Sequence, residues 1–309
     1  SPSFSVSPTK QFYHCFGCGA HGSAISFLME HSGLTYVDAI EELARSAGLT
    51  VPREERRPQD LAKQQQAIAL SEVMSPAADW YKQQLKQNTR AIDYLKGRGL
   101  SGEIAKRFNL GYAPESWQGL EAVFGSYTQD SIANVLVEAG LIIQSESKRY
   151  DRFRDRIMFP IRNPKGQVIA FGGRILDAGE PKYLNSPESE IYHKSKVLYG
   201  IFQAKQAIAK QDNCYLVEGY TDVIQFNQSG IENVVASSGT ALTPDQIRLV
   251  NRLTNNITVL FDGDAAGLRA SIRGIDLILE AGMNVKVCSF PDGEDPDSFA
   301  KNNSYEVLK

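Results

Sequence analysis

The chain has 309 residues, a formal net charge of −3 and a hydrophobic fraction of 42%. A chain of this length can bury a large core, and it predicts two or three domains. It contains no apolar run of membrane-spanning length and no signal-peptide pattern, so a membrane-spanning protein is excluded and a soluble, cytosolic one is predicted. The small net charge does not by itself indicate a polyanionic partner.

The first segment opens without an initiator Met, which we interpret as the start of a fragment, and it carries a Cys-x-x-Cys knuckle. Phe12-Tyr-His-Cys15 reads as a strand, and the glycines that follow permit the tight turn that brings Cys15 and Cys18 together. Such a knuckle supplies two of the four ligands of a structural zinc. The other ligands are not evident, because the nearby histidines are poorly spaced: His14, His21 and His31. A redox pair or a plain turn therefore stays open.

Helical patterns follow on both sides of a predicted linker. Residues 23–47 place apolar side chains at helical spacing, which indicates core packing. Residues 51–66 are charged and rich in Gln and Pro, and they predict a linker. Helical spacing resumes at about Leu70, and a second helix around residues 91–95 ends at Gly97-Arg98-Gly99. There, Arg98 could hold a phosphate or cap the helix.

A basic segment occupies the middle of the chain. Between Lys148 and Arg174, lysines and arginines outnumber acids by eight to two. If the segment around Arg154 is extended, three guanidinium groups share one face of a strand. Residues 168–171 predict a strand that leads into Gly172-Gly173-Arg174, where missing side chains would let a substrate backbone approach. With the basic motifs around Lys182 and Lys194, this set favours phosphate binding over a solvated surface.

Acidic clusters follow three predicted strands in the last third of the chain. The strands are residues 215–217, 257–261 and 285–290, and helix-like segments separate them, so the pattern predicts a parallel sheet. The clusters are Glu218 to Asp222, Asp262 to Asp264, and Asp292 to Asp297. Because the carboxyl ends of parallel strands meet at one edge, these acids are expected to converge around a hard divalent cation such as Mg²⁺. Two cysteines inside these strands, Cys214 and Cys288, are expected to be buried.

These motifs resemble those of the bacterial replicative DNA primases of the DnaG type. The resemblance covers essentially the whole chain, and its motifs occur in family order: Phe12-Tyr-His-Cys-Phe-Gly-Cys-Gly19, Tyr150-Asp-Arg-Phe-Arg-Asp-Arg156, Phe171-Gly-Gly-Arg174, Pro181-Lys-Tyr-Leu-Asn-Ser-Pro187, Glu218-Gly-Tyr-Thr-Asp222, Ser238-Gly-Thr-Ala-Leu-Thr243, Phe261-Asp-Gly-Asp264 and Pro291-Asp-Gly-Glu-Asp-Pro-Asp297.

The resemblance implies an α/β fold, α+β overall, in four parts. These are a partial zinc ribbon at 1–50, a linker at 51–68, a basic N-terminal subdomain of the primase core at 69–210, and a Toprim parallel-sheet domain at 211–309. Family zinc domains carry a Cys-x-x-His pair upstream of the Cys-x-x-Cys pair, so Cys15 and Cys18 would be half of a zinc site. The resemblance also implies that the C-terminal helicase-binding domain is absent and that the end of the polymerase core is cut.

The resemblance also assigns roles to individual residues. The implied acids of an Mg²⁺ or Mn²⁺ site are Glu218, Asp222, Asp262, Asp264, Asp295 and Asp297, and the catalytic residues among them are Glu218, Asp262 and Asp264. The implied groove for template and nucleotide is formed by Arg98, Arg152, Arg154, Arg174, Lys182, Tyr183 and Lys194.

The predicted activity is therefore synthesis of RNA primers on single-stranded DNA by metal-dependent nucleotidyl transfer. The implied partners are single-stranded DNA, ribonucleoside triphosphates, the RNA primer and a replicative helicase, with a monomeric enzyme working in the bacterial cytoplasm at the replication fork. Two alternatives stay open. One is strand cleavage and rejoining by a Toprim enzyme, although no motif marks a tyrosine for that role. The other is a non-catalytic module that binds single-stranded DNA.

Overall fold

The computed structural model describes residues 3–32, 34–51, 58–146, 148–177, 179–239, 241–261, 265–290 and 295–303. The chain divides into two compact units, Ser1–Ala62 and Lys63–Lys309. No helix in the described part of the chain is both long and apolar enough to cross a membrane.

The first unit is a small antiparallel sheet followed by two helices. The strands are β1 (Phe4–Ser7), β2 (Phe12–Cys15) and β3 (His21–Gly22), in that order across the sheet, and the helices are α1 (Ala24–Ser32) and α2 (Tyr36–Ser46). The strand predicted before the knuckle is therefore confirmed as β2. Tyr13 and Ala39 are the buried hydrophobic residues described in this unit, so its core is small.

The second unit begins with helices, and the first of them corrects the predicted linker. Helix α3 (Pro58–Gln87) is followed by α4 (Thr89–Gly97) and α5 (Gly102–Arg107). Residues 58–68 of the predicted linker therefore lie in a helix. Proline is tolerated in the first turn of a helix, and the Gln, Ala and Leu residues that follow are good helix formers. The predicted helix end at Gly97 is confirmed.

An antiparallel sheet follows these helices. Its strands are β4 (Gly111–Ala113), β7 (Arg156–Arg162), β8 (Val168–Ile175) and β9 (Tyr183–Asn185), in the order β4-β7-β8-β9. Between β4 and β7 the chain forms α6 (Glu121–Phe124), α7 (Asp130–Glu138) and a hairpin of β5 (Ile142–Gln144) and β6 (Arg149–Asp151).

The last part of the second unit is the predicted parallel sheet. Its strands are β10 (Cys214–Val217), β11 (Val234–Ala236), β12 (Asn256–Phe261) and β13 (Asn284–Ser289), in the order β11-β10-β12-β13, and every pairing is parallel. The helices are α8 (Ile201–Gln211), α9 (Tyr220–Gln228), α10 (Pro244–Asn251), α11 (Ala265–Glu280) and α12 (Pro296–Asn302). The predicted alternation of strands and helices is confirmed, and β11 is an additional short strand.

Aromatic side chains join the two four-stranded sheets of the second unit, and aromatic rings also fill the space beside Gly172 and Gly173. The ring of Phe159 in β7 stacks on Tyr220 in α9 at 5.2 Å between centroids. A Cβ atom at Gly172 would lie 2.5 Å from the Tyr220 ring, and one at Gly173 would lie 2.8 Å from Phe153. The expectation that these glycines admit a substrate backbone is therefore wrong, because side chains of this chain fill the space.

The two strand cysteines differ in burial. Cys214 is fully buried, as expected, whereas Cys288 is exposed. The prediction for Cys288 is wrong because β13 lies at the edge of the four-stranded sheet and its side chains in this region face solvent, as the 51% exposure of Val287 also shows.

Candidate functional site

Two neighbouring strands of the parallel sheet end directly before predicted acids in the sequence. Strand β10 ends at Val217, directly before Glu218, and β12 ends at Phe261, directly before Asp262 in the sequence. Because β10 and β12 are parallel neighbours, both strands end at the same edge. Asp262 and Asp264 themselves lie outside the described residues.

The acids that the structure describes sit at helix starts. Gly219 donates its backbone N–H to Asp222 Oδ2 at 2.8 Å at the start of α9. Asp295 caps α12, where its Oδ1 accepts the N–H of Ser298 at 2.7 Å. Glu218 is exposed at the end of β10. Within the described ranges, no three His, Cys, Asp or Glu side chains are close enough to share a metal ion. A joint site that includes Asp262 and Asp264 therefore stays a prediction.

Asp297 links the acidic edge to the predicted basic groove. It forms an ion pair with Arg98, a residue 199 positions away in the sequence, and the two side chains are 18% and 27% exposed. Burial raises the pKa of Asp297, and the nearby charges of Arg98 and Arg174 partly offset that rise. Arg98 directly follows α4 as its C-cap, where its backbone N–H donates to the Tyr94 carbonyl at 3.1 Å. The backbone of Arg98 thus caps the helix while its side chain pairs with a carboxylate.

A second arginine is held next to this pair by two tyrosines. Arg174 Nη1 donates to the Tyr183 hydroxyl at 2.6 Å, and its guanidinium lies 5.2 Å from the Tyr183 ring centroid and 5.9 Å from that of Tyr94. Such cation–π contacts fix the guanidinium without neutralising it. The structure therefore brings together Arg98, Arg174, Tyr183 and Asp297.

The predicted strand of three aligned arginines is wrong. Strand β6 ends at Asp151 and β7 begins at Arg156, and the residues between them form a turn in which Phe153 is buried. Each guanidinium then finds different partners. Arg152 donates to the Asn185 carbonyl at 3.3 Å, and Arg156 is buried and donates to the Pro181 carbonyl at 2.9 Å.

Arg154 instead belongs to a partly exposed cluster with two aromatic rings, which we call the platform and define as Trp117, Tyr150 and Arg154. The Arg154 guanidinium lies 4.1 Å from the Trp117 ring centroid and 5.2 Å from that of Tyr150, and Trp117 is 63% exposed. An open cleft of ≈ 1050 Å³ adjoins the platform. An exposed aromatic ring next to an arginine can stack on nucleobases without a sequence preference. Sequence reasoning missed Trp117, and a tryptophan in a loop rich in Pro, Ser and Gly was the available signal.

Two acids anchor the turn that carries Arg152 and Arg154. Asp151 is buried; its carboxylate accepts the N–H of Leu120 at 3.1 Å and the hydroxyl of Tyr127. Burial raises the pKa of Asp151 to about 6, against the lowering effect of these hydrogen bonds.

At the other end of the turn, Asp155 adopts a positive φ of 49°. Its carboxylate accepts two hydrogen bonds from Arg90, at 3.0 and 2.9 Å, and one from the Tyr112 hydroxyl at 2.8 Å. The two acids inside the basic segment are therefore structural anchors of the arginine turn.

The remaining two predicted cations, Lys182 and Lys194, lie outside the cluster of Arg98, Arg174, Tyr183 and Asp297. Lys182 is exposed beside Tyr183, and Lys194 is half-buried in a 3₁₀ turn, Lys194–Lys196. Lys194 contacts Glu188 through its backbone N–H at 3.0 Å and Gln246 through its carbonyl at 3.0 Å. Their roles in nucleotide or template binding stay predictions.

The first unit contains the predicted half zinc site. The backbone N–H of Cys18 hydrogen-bonds to the Cys15 sulfur and lowers the pKa of Cys15 to about 7, so the knuckle favours a thiolate. His14 and His21 face each other across β2 and β3, with ring centroids 5.9 Å apart, and His14 Nδ1 is buried without a hydrogen-bond partner. The described residues supply two sulfur ligands but no group of three metal ligands, so they do not form a complete zinc site.

Comparison with known families finds three matches along the chain. The family described as CHC2 zinc finger matches residues 1–59, that described as DNA primase catalytic core, N-terminal domain, matches residues 80–205, and that described as Toprim-like matches residues 215–300. The parallel sheet therefore belongs to a Toprim-like domain.

Individual relatives and solved structures identify the family more closely. The DNA primase of Pseudomonas aeruginosa is 47% identical over 319 residues, covering 100% of this chain and 48% of the relative, and that of Pasteurella multocida is 48% identical over 310 residues, covering 98% and 53%. A solved DnaG primase catalytic domain bound to ssDNA is 40% identical with a TM-score of 0.74, covering 79% of this chain and 78% of that chain. The zinc-binding and RNA polymerase domains of the Aquifex aeolicus primase are 37% identical with a TM-score of 0.70, covering 99% and 73%. The chain belongs to the DnaG-type bacterial DNA primase family, and it spans about half the length of the curated relatives that it matches.

Proposed function

We propose that this chain carries the polymerase site of a DNA primase and synthesises short RNA primers on single-stranded DNA. The observation that carries the proposal is the ion pair between Arg98 and Asp297, with Arg174 beside it. It brings cationic side chains next to the acidic edge of a parallel sheet, and cations together with metal-binding acids are the groups that stabilise a transferring phosphoryl group. A related catalytic domain whose structure contains ssDNA supports the choice of template.

We propose that Arg98 and Arg174 bind the triphosphate of an incoming ribonucleotide. Each guanidinium group can offer two parallel N–H donors to phosphate oxygens. The Tyr183 hydroxyl accepts a hydrogen bond from Arg174 and fixes its orientation before the nucleotide arrives. Pre-organised donors of this kind stabilise the charge that develops during transfer.

We propose that the platform of Trp117, Tyr150 and Arg154 holds the template. Its rings can stack on successive bases and its guanidinium can contact the strand, without demanding a particular sequence. Because backbone contacts release counterions, template binding should weaken steeply as salt rises. Lys182 and Lys194 would add to this dependence if they contact the strand.

The acids fit a hard divalent cation by the chemistry of their donors. We propose Mg²⁺, with Mn²⁺ as the rival ion, held by Glu218, Asp262, Asp264 and the neighbouring acids Asp222, Asp295 and Asp297. When bound, such ions supply Lewis-acid stabilisation of the phosphoryl charge. Occupation of Asp297 by a metal would release Arg98 from its ion pair and leave its guanidinium available for phosphate.

The further partners of the proposed enzyme follow from the same function. These are ribonucleoside triphosphates, the RNA primer and a replicative helicase, for a monomeric protein acting in the cytoplasm at the replication fork. Family membership favours primer synthesis over strand cleavage or a purely binding role.

The test is incorporation of labelled ribonucleotides on a short single-stranded DNA template, with and without Mg²⁺. We expect short RNA products that require both the template and the metal. Retained DNA binding without any product would favour a binding module, and a covalent protein–DNA adduct would favour strand cleavage.

A further inference from the structure

Helix α9 connects the acidic edge to the turn that carries Arg98. The helix starts at Tyr220, just after Glu218, and has Asp222 in its first turn. Its last residue, Gln228, reaches the turn between α4 and α5. A helix is a stiff element of fixed length, so its two ends set the spacing between whatever they hold.

The Gln228 side chain is matched to the backbone of that turn. Its Nε2 donates to the Gly99 carbonyl at 2.7 Å, and its Oε1 accepts the N–H of Ser101 at 2.8 Å. The side-chain amide of Gln228 thus satisfies one carbonyl and one N–H of the segment that follows Arg98. Gly99 has a φ of +82°, and because glycine is free to leave this conformation, the two hydrogen bonds of Gln228 help to hold the turn in place.

Ser229, the residue directly after α9, contacts α12, the helix that carries Asp297. Ser229 Oγ donates to the Ala300 carbonyl at 2.9 Å, and Ala300 belongs to the same short helix as Asp297. Lys301 of α12 also donates to the Gly97 carbonyl at 3.4 Å. Two consecutive residues, Gln228 and Ser229, therefore tie α9 to the elements that carry Arg98 and Asp297.

We propose that Gln228 is a positioning residue for nucleotide binding, which acts by fixing the turn that aims Arg98 at the triphosphate. The inference rests on the proposed role of Arg98 in binding the nucleotide. Gln228 lies at the end of α9 away from Glu218 and Asp222, so it affects the site through the turn and not through the acids. Its loss leaves the carbonyl of Gly99 and the N–H of Ser101 to water and lets the Arg98 side chain sample other directions.

The experiment measures the dissociation constant of ATP with Mg²⁺ on the full chain by calorimetry, and that of labelled single-stranded DNA by anisotropy. For Gln228→Ala we expect ATP binding about three- to tenfold weaker, the effect of one or two lost hydrogen bonds, with DNA binding unchanged. Gln228→Glu keeps the acceptor for Ser101 but loses the donor to Gly99, so it should weaken ATP binding as well. Gln211→Ala, at the exposed end of α8, is the matched control and should bind ATP like the parent chain.

A double-substitution cycle distinguishes this inference from the function on which it rests. If Gln228 acts through Arg98, then Gln228→Ala adds no further loss of ATP affinity in an Arg98→Ala background. A loss that persists in full in that background, or unchanged ATP affinity in Gln228→Ala while Arg98→Ala weakens binding, overturns the role of Gln228 alone. Unchanged ATP affinity in Arg98→Ala overturns the nucleotide role of Arg98 and the inference with it.

Discussion

The effect of replacing Asp155 on the free energy of unfolding can be estimated from its hydrogen bonds. Its side chain is 20% exposed, and it accepts two hydrogen bonds from Arg90 and one from Tyr112, which is itself buried. Asp155→Asn keeps the shape but loses the charge and at least one of these acceptor contacts. Hydrogen bonds to a charged group contribute about 1.5–3 kcal/mol, so we expect the free energy of unfolding to fall by about 2 kcal/mol at pH 7. The turn carrying Arg152 and Arg154 should loosen with it.

The pH dependence of this effect has a defined sign. Burial alone would raise the pKa of Asp155, but the hydrogen bonds from Arg90 and Tyr112 outweigh it and the pKa is lowered. A carboxyl whose pKa is lowered by folding stabilises the protein above its unfolded pKa of about 3.9, and that contribution is lost as the pH falls through the folded value. The difference in stability between the parent chain and Asp155→Asn should therefore shrink as the pH is lowered below about 4.

Urea unfolding at pH 7 and at acidic pH measures this difference. Asp177→Asn is the matched control, because Asp177 pairs with the same Arg90 but is 72% exposed. Exposed ion pairs contribute about 0–1 kcal/mol, so the control should lose much less stability than Asp155→Asn. Equal losses for the two variants, or a loss at Asp155 that is independent of pH, would refute the assignment of Asp155 as the anchor of the arginine turn.

Three further outcomes follow from the geometry. Trp117→Ala should weaken binding of single-stranded DNA by about 5- to 100-fold, which corresponds to the loss of one stacked base, and it should leave ATP binding unchanged. Fluorescence anisotropy measures the DNA affinity, and an unchanged value would show that the platform does not bind the template. Gly172→Ala should destabilise the chain by about 1–3 kcal/mol in urea unfolding because the new methyl group meets the Tyr220 ring, and a neutral result would show that the sheets can separate there. Because burial raises the pKa of Asp151 to about 6, the free energy of unfolding should fall as the pH rises through 6, and this part of the pH dependence should be missing in Asp151→Asn.

The parallel sheet was predictable because its strands are short runs of β-branched and aromatic residues separated by helical segments. Strand β11 escaped prediction because three residues, Val-Val-Ala, carry too little pattern to distinguish a strand from other buried structure. The exposed Cys288 could not be predicted, since the position of a strand within its sheet is a property of the assembled fold.

The basic region shows where local pattern fails. Alternating arginines favoured a strand, but burial of Phe153 and the left-handed backbone of Asp155 require a turn, and neither is visible in the charge pattern. The Arg98–Asp297 pair joins residues 199 positions apart, so no spacing rule could reveal it. Sequence nominated both side chains for the site, and only the fold shows that they contact each other.

We propose that acids at the carboxyl edge of the parallel sheet hold a divalent metal that takes part in nucleotidyl transfer. The most direct measurement compares RNA primer synthesis and single-stranded DNA binding for Asp262→Ala, Asp264→Ala and Asp79→Ala, the last being an exposed acid on α3. We expect the first two variants to make no primer at saturating Mg²⁺ while they bind DNA like the parent chain, and we expect Asp79→Ala to retain full synthesis. A normal primer yield from Asp262→Ala or Asp264→Ala would contradict it.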